Sequence, residues 1–290
     1  MISAYLIHIL ILICIYLILA LSLQISVGYS GMLNLGHIAF YGVGAYTSTL
    51  LALAGTPFLL CLLAAGLVSA VVGFLLSLPT DKIKGDYLAL ITVGFSYIVY
   101  SLMLNLDGVT RGPLGIPGIP RPEIFGFKFD SNTSFLILSV VVTTLTYLAI
   151  KRIVDSPFGK LLEAVRDDEF GAKILGKNTF KAKSFSLIIA SLFAGFAGSL
   201  YAHYITFIDP SSFSLMQIIP IISIVIVGGL TSLPGTVVAT FVLVLIPEAL
   251  RFVGLPSSIL GPMRQIISSV ILLVILIYKP KGFWGRVELE

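Results

Sequence analysis

The first 80 residues of the chain contain no Asp, Glu, Lys or Arg, and Asp81 is the first such residue. A helix needs about 20 mostly apolar residues to cross a bilayer, so this stretch has room for about three crossings. Of all residues, 57% are hydrophobic and 11% are charged, whereas a soluble domain carries roughly 25% charged residues. The sequence therefore predicts a polytopic membrane protein.

About nine apolar runs, with a range of eight to ten, have the length of a membrane-spanning segment. They lack the alternation of barrel strands, and a segment in lipid must satisfy its own backbone hydrogen bonds, so each run is predicted to be helical. We expect an all-α fold with one transmembrane domain over residues 1–290. The predicted spans are 4–27, 36–54, 57–79, 87–104, 134–150, 185–205, 214–230, 235–250 and 263–278.

The basic residues predict the orientation. Eight of the 18 lie in 151–184, two in 80–86 and three in 279–290, and alternating spans place these three segments on one side. Loops rich in Lys and Arg stay in the cytoplasm, so the N-terminus is expected outside and the C-terminus inside. The net charge of +4 is therefore assigned to the cytoplasmic loops beside the membrane lipid, and no nucleic-acid partner is expected.

The start of the chain does not resemble a cleavable signal. It lacks a basic leader, and its apolar run exceeds a signal core of roughly 7–15 residues, so we expect the first span to be retained. Cys14 and Cys61 both fall inside predicted spans, which makes a disulfide or a metal site improbable. The segment 105–133 holds five Gly and four Pro. It is predicted to be an irregular external loop, either an ordered cap or a solvated linker.

The loop 151–184 has the signals of one amphipathic helix over 156–176. Asp155 or Ser156 suits the N-cap, and Pro157 suits the first turn. Apolar residues recur at helical spacing at Phe158, Leu161, Leu162 and Val165. Such a helix can lie in the headgroups, pack on its own bundle or dock on a soluble partner. The acidic cluster at 167–169 disfavours anionic headgroups, and the other two uses stay open.

Residues 156–202 resemble the cytoplasmic loop and next span of branched-chain amino acid ABC-transporter permeases, of the LivH and LivM kind and closer to LivM. The family pattern runs approximately G-(R/K)-x-L-x-A-(I/V)-R-(E/D)-(D/N)-E-x-x-A-x-x-L-G. It is matched by Gly159, Lys160, Leu162, Ala164, Val165, Arg166, Asp167, Asp168, Glu169, Ala172, Leu175 and Gly176. Further blocks such as SVGYSGMLNLGHIAFYGVGAY and VGGLTSLPGTVVA extend the resemblance over almost the whole chain.

The resemblance implies a permease subunit of an importer in the bacterial cytoplasmic (inner) membrane. Such a subunit pairs with a second permease and two ATPase subunits, and receives branched-chain or other hydrophobic amino acids from an external binding protein. Related permeases carry urea or short amides, which leaves the substrate open. The chain has no G-x-x-x-x-G-K-[ST] phosphate loop, so we expect no enzymatic activity or cofactor in it. ATP and Mg²⁺ are expected on the partner subunits.

Three sets of residues follow as site predictions. ATPase coupling is assigned by the resemblance to Glu163, Arg166, Asp167, Asp168, Glu169 and Gly176. Two polar residues lie inside the apolar sequence, Asn34 and His37. They either line a translocation path or serve as structural anchors beside a helix break. Small residues at four-residue spacing predict close helix packing, within the bundle or against the partner permease: Gly44, Ser48, Ala194 and Gly198.

Two rival functions remain from the sequence. An ion-gradient-driven secondary transporter needs ionisable or unwound groups near mid-membrane. The candidates for that role are few and consist of Gln24, Asn34, His37 and His203. A non-transporting membrane scaffold is disfavoured by the many glycines within the spans. The importer therefore remains the leading hypothesis.

Overall fold

The computed structural model describes residues 2–81, 83, 86–124, 126–249, 257–279 and 281–285. Four of the basic residues used to predict the orientation lie outside the described residues: Lys82, Lys84, Arg251 and Arg286. All nine predicted spans coincide with α-helices: α1 (Ile2–Gln24), α2 (His37–Leu53), α3 (Phe58–Ser77), α4 (Asp86–Asn105), α6 (Asn132–Val154), α9 (Thr179–Ile205), α10 (Ile218–Gly228), α11 (Leu233–Ala249) and α12 (Ser257–Tyr278). Between them lie the short helices α5 (Asp107–Thr110), α7 (Pro157–Asp167) and α8 (Glu169–Ile174).

The helices differ in whether they are long enough to cross a bilayer alone. Five are long and apolar enough in the described part of the chain: α1 with its extension to Tyr29, α3, α4, α6 and α9. By contrast, α10 has only 11 residues, about 16 Å at 1.5 Å per residue. The all-α architecture is confirmed, while the number of crossings and their direction through the membrane stay predictions.

The ends of the helices gather on two faces of the bundle. On the basic face, formed by 28–36, 151–184, 229–233 and 281–285, Arg166 Nη1 donates to the Gly28 carbonyl at 2.9 Å. There the amide of Phe283 also donates to the Val227 carbonyl at 2.9 Å. The Gly/Pro face consists of 105–133 and 206–217. These contacts group 151–184 with 281–285, as alternating spans predict.

Helix α9 forms the centre of the bundle and packs closely against α2 and α3. A Cβ atom added at Gly44 would lie 2.4 Å from the Gly195 Cα, and one at Gly198 would lie 2.1 Å from the Tyr41 carbonyl oxygen. Between these contacts, the Ser48 and Ser199 hydroxyls are 2.7 Å apart, and Ala194 is fully buried. The small residues therefore lie at crossings within this chain, where they let helix backbones touch.

The Gly/Pro face is built from short elements that rest on the end of α9. Strand β1 (Ile116–Pro117) pairs antiparallel with β4 (Phe207–Ile208), and β2 (Glu123–Ile124) pairs with β3 (Phe127–Lys128). His203 Nδ1 lies 2.7 Å from the Pro120 carbonyl oxygen. Both Ile116 and Ile119 are buried. The described part of 105–133 is thus packed against the bundle.

Candidate functional site

The loop 151–184 folds as two helices, so the prediction of one helix over 156–176 is wrong. Ser156 caps α7, with Pro157 in its first turn. Asp168 then adopts an extended backbone (φ −151°, ψ 93°), which ends α7. Its side chain accepts a hydrogen bond from the Gly171 amide at 2.9 Å and so caps α8. A second N-cap inside the acidic cluster therefore splits the predicted helix.

The apolar stripe of α7 faces its own bundle. Leu162 and Val165 are buried, and Phe158 and Leu161 are half-buried against the same core. Phe158 also contacts the ring of Phe185 on α9 edge-on, with centroids 6.5 Å apart. The stripe is therefore used in packing within the chain and is not exposed to a partner.

Arg166 ties α7 to the break that follows α1. The α1 helix continues as a wider π-helical turn over Ile25–Tyr29. There the Gly28 carbonyl accepts the hydrogen bond from Arg166, whose side chain is only 14% exposed and also pairs with Asp167 at 2.8 Å. Gly31 has φ +68°, and a Cβ atom there would lie 2.7 Å from Arg166 Cγ. Only glycine gives both the backbone conformation and the space for this arginine.

Glu169 ties α8 to the start of α9. Its carboxylate accepts from Lys183 Nζ at 2.6 Å, forms an ion pair with Lys173 at 3.2 Å and accepts from the Thr179 hydroxyl. Burial raises the pKa of this carboxyl, but hydrogen bonds from Lys183 and Lys173 outweigh it, and the net pKa is lowered. Arg166 and Glu169, both predicted to contact an ATPase, are thus engaged mainly within the chain.

We expect Glu169→Gln to loosen α8. A hydrogen bond to a charged group contributes roughly 1.5–3 kcal/mol, so amide exchange in 169–175 should accelerate by about tenfold or more. Because the folded-state pKa is lowered, this contribution is complete above the ordinary carboxyl pKa and is lost as the pH falls through the lowered one. Hydrogen exchange followed by mass spectrometry, with the exposed Glu123→Gln as control, measures both effects. Equal exchange in the variant and the wild type would contradict this assignment.

The exposed surface of the loop carries an apolar patch that the sequence analysis missed. Phe170 and Ile174 on α8 are each 71% exposed, and Leu175 just after it is 78% exposed. Asp167 borders this patch with a side chain that is 65% exposed. The available signal was the pair of apolar residues Phe170 and Ile174, four apart in a polar loop. We call Phe170, Ile174 and Leu175 the α8 patch.

A second helix break lies against the first. Between α10 and α11, residues 229–232 contact α1: Gln24 Nε2 donates to the Gly229 carbonyl at 2.8 Å, and the Tyr29 hydroxyl donates to the Thr231 carbonyl at 2.9 Å. The described tail packs here too, because the amide of Trp284 donates to the Gly228 carbonyl at 3.3 Å. The loop 151–184 is thus linked through Arg166 and Gly28 to both interruptions.

The remaining predicted residues lie apart from the patch. Asn34 accepts from the Gly36 amide through Oδ1, and His37 Nε2 lies 2.9 Å from the Ser22 hydroxyl. Both side chains are buried, and Asn34 Nδ2 and His37 Nδ1 have no partner in the described part of the chain. Glu163 instead lines a cavity of about 720 Å³ at the basic face. Gly176, with φ +75°, turns the chain after α8.

Residues 5–277 match the family described as the permease component of branched-chain amino acid transport systems. The chain belongs to this family. Nine helices coincide with predicted spans, and the match covers all or nearly all of eight of them. It ends in the last turn of the ninth, α12. No solved structure matches the chain.

Curated relatives include permeases of the LivM and LivH kinds. The high-affinity branched-chain amino acid transport system permease protein LivM of Salmonella typhimurium is 38% identical over 82% of this chain and 61% of its own length. LivM of Escherichia coli is 37% identical with the same coverage, so the chain spans about three fifths of these two relatives. LivH of Escherichia coli is 25% identical over 95% of this chain and 92% of its own length.

Proposed function

We propose that this chain is the membrane permease subunit of an ATP-driven importer for branched-chain or other hydrophobic amino acids. The observation that carries the proposal is the loop 151–184, which presents the exposed α8 patch on one side and is bound to the helix breaks on the other. An exposed apolar patch beside charged residues is typical of a protein interaction site. Membership of a family of transport-system permease components supports an ATPase subunit as the partner at this patch.

The proposed partners are those that the family supports. The permease pairs with a second permease subunit and two ATPase subunits in the bacterial inner membrane, and an external binding protein delivers the substrate. ATP and Mg²⁺ are held by the ATPase subunits, because the sequence of this chain has no phosphate loop of the G-x-x-x-x-G-K-[ST] kind. In this complex, the chain forms part of the substrate path and transmits the movement of the ATPase subunits to the transmembrane helices.

The contacts give the loop residues different roles in coupling. The α8 patch and Asp167 form the surface that the ATPase subunit contacts. Arg166 and Glu169 carry the displacement inward, Arg166 to the Gly28 carbonyl and Glu169 to Lys183 at the start of α9. Because the Gly28 turn also holds 229–232, one movement of the loop biases both helix breaks, as in rigid-body switching between two packed states.

Uptake of radiolabelled L-leucine into proteoliposomes tests the proposal. The chain is reconstituted with its partner permease and ATPase subunits, ATP is enclosed and the binding protein is added outside. We expect uptake only when both are present and no response to a proton or sodium gradient. Gradient-driven uptake without ATP would identify a secondary transporter instead, and ATP-dependent uptake of urea but not leucine would reassign the substrate.

The acidic cluster allows a prediction that separates charge from helix capping. The double variant Asp167→Lys with Asp168→Lys should abolish uptake while insertion in the membrane is unchanged, because it reverses the charge beside the patch and removes the α8 cap. Asp168→Asn retains a capping side chain and should keep most of the activity, whereas Asp168→Ala should lose about 1 kcal/mol of α8 stability. Full transport by the double variant would refute the role of this cluster.

A further inference from the structure

A cavity of about 300 Å³ lies inside the bundle between α1, α2, α9 and α10. Its volume is at the lower end of the roughly 300–1,000 Å³ range of small-molecule sites. Half of its lining residues are aliphatic, namely Leu12, Ile15, Leu19, Ile38, Ile205 and Ile221. A branched apolar side chain of a few carbon atoms matches this wall in size and polarity.

Neutral hydrogen-bonding groups also line this cavity. Tyr16, Tyr41 and Tyr201 line it from three different helices, and the ring centroids of Tyr41 and Tyr201 are 5.5 Å apart. Tyr41 is only 6% exposed, and its hydroxyl makes no hydrogen bond within the described part of the chain. A hydroxyl that lines a cavity inside a membrane bundle without a protein partner is available to a ligand.

One edge of the cavity provides acceptors for a cation. Ser212 lines it and donates to the Asp209 carboxylate at 2.7 Å, while the Tyr201 hydroxyl donates to Ser212 Oγ at 3.4 Å. Gln217 adds an amide with both donor and acceptor atoms. The polar groups thus offer donors for a carboxylate and acceptors for an ammonium group beside an aliphatic wall.

The cavity continues towards the Gly/Pro face. Tyr16 and Gln217 also line a neighbouring cavity of about 350 Å³, which extends along α10 and α11 to Ser223 and Leu243. Gln217 is exposed, so the pair of cavities reaches the surface at this residue. By the predicted orientation this is the outer half of the bundle, the side from which a binding protein delivers substrate.

We propose that the 300 Å³ cavity is a substrate-binding site within the single subunit. It holds one L-amino acid with a branched aliphatic side chain. The side chain packs on Leu12, Ile38 and Ile221. The carboxylate accepts from the Tyr41 hydroxyl, and the ammonium group donates to Gln217 and Ser212. This inference rests on the proposed function and specifies where the substrate passes and which groups it contacts.

Two tyrosines on α2 provide a matched test. Tyr41→Phe removes the hydroxyl that lines the cavity. Tyr46→Phe is the control: this tyrosine is as buried as Tyr41 and does not line the cavity, and its hydroxyl has no partner in the described part of the chain. Both rings contact Phe213, so their packing is comparable. In the reconstituted leucine uptake assay, Tyr41→Phe should raise the KM or lower the rate by about tenfold, as expected for one hydrogen bond to a charged group. Tyr46→Phe should transport like the wild type.

A second variant fills the cavity. Leu12 is half-buried, so Leu12→Trp adds volume into the cavity without replacing a fully buried core residue. We expect it to assemble with its partners and to lose leucine uptake. If Tyr41→Phe imports leucine at the wild-type rate and KM, the proposed binding site is refuted, whether or not Leu12→Trp folds. If the wild type itself imports no leucine, the proposed function fails instead, so the two failures are distinguishable.

Discussion

The double variant Phe170→Glu with Leu175→Glu is expected to lose ATP-dependent leucine uptake while the chain stays folded in the membrane. Both side chains are more than two-thirds exposed in the isolated subunit, so the change costs little there. Burial of one large apolar side chain at an interface contributes roughly 1.5–3 kcal/mol. The loss of two such contacts, together with two unpaired carboxylates, should weaken the ATPase contact by about 3 kcal/mol or more, roughly a hundredfold.

The control variant is substituted at the same two positions but carries apolar side chains there. Phe170→Leu with Leu175→Met preserves an apolar surface at the α8 patch and should retain uptake close to the wild type. Co-purification of the ATPase subunit with each variant separates loss of docking from loss of transport after docking. If the glutamate variant binds the ATPase subunit and imports leucine normally, the patch is not the coupling surface.

Gly44→Val is expected to give the largest loss of stability. A Cβ atom at Gly44 would lie 2.4 Å from the Gly195 Cα and 2.5 Å from its carbonyl oxygen, and these backbone atoms belong to a central helix that cannot move aside. Helices α2 and α9 would have to separate, which would also break the hydrogen bonds that join Ser48 to Ser199 and His203. Overpacking costs typically about 1–3 kcal/mol and occasionally more, and a backbone contact belongs at the upper end.

The thermal midpoint and the yield of purified protein in detergent measure this loss. Gly94→Ala on α4 is the matched control, because a Cβ atom there meets no other atom within 4 Å among the described residues. We expect the control to match the wild type and Gly44→Val to melt well below it or fail to accumulate. A midpoint of Gly44→Val equal to that of the control would show that the two helices are not packed as described.

The membrane-spanning helices were predictable from sequence because a single segment in lipid can satisfy its backbone hydrogen bonds only as a helix. In the absence of water, the backbone must form its own hydrogen bonds, so apolar length alone locates the nine helices that coincide with predicted spans. Small residues four apart similarly indicated that α9 is packed closely. The break at Asp168 was missed because it lies inside an acidic run, where its side chain was counted as surface charge and not as a cap.

The contacts of the candidate site were beyond the sequence because they are long-range. Nothing local to Arg166 indicates that its partner is the carbonyl of Gly28, 138 residues away. Gln24 likewise meets Gly229 across 205 residues. To predict the α8 patch, one must instead know that Phe170 and Leu175 stay uncovered by the described part of the chain. Local pattern gives the elements, and only their packing shows which side chains are used internally and which remain for a partner.

Site-directed cross-linking tests most directly the central claim that the ATPase subunit meets this chain at the α8 patch. The native Cys14 and Cys61 are both buried, so a new surface cysteine dominates the reaction. In the assembled importer, Leu175→Cys treated with a short cysteine-to-lysine reagent should form an adduct with the ATPase subunit. Phe127→Cys, exposed on the Gly/Pro face, should form none. An ATPase adduct from Phe127→Cys and none from Leu175→Cys would contradict both the docking surface and the predicted orientation.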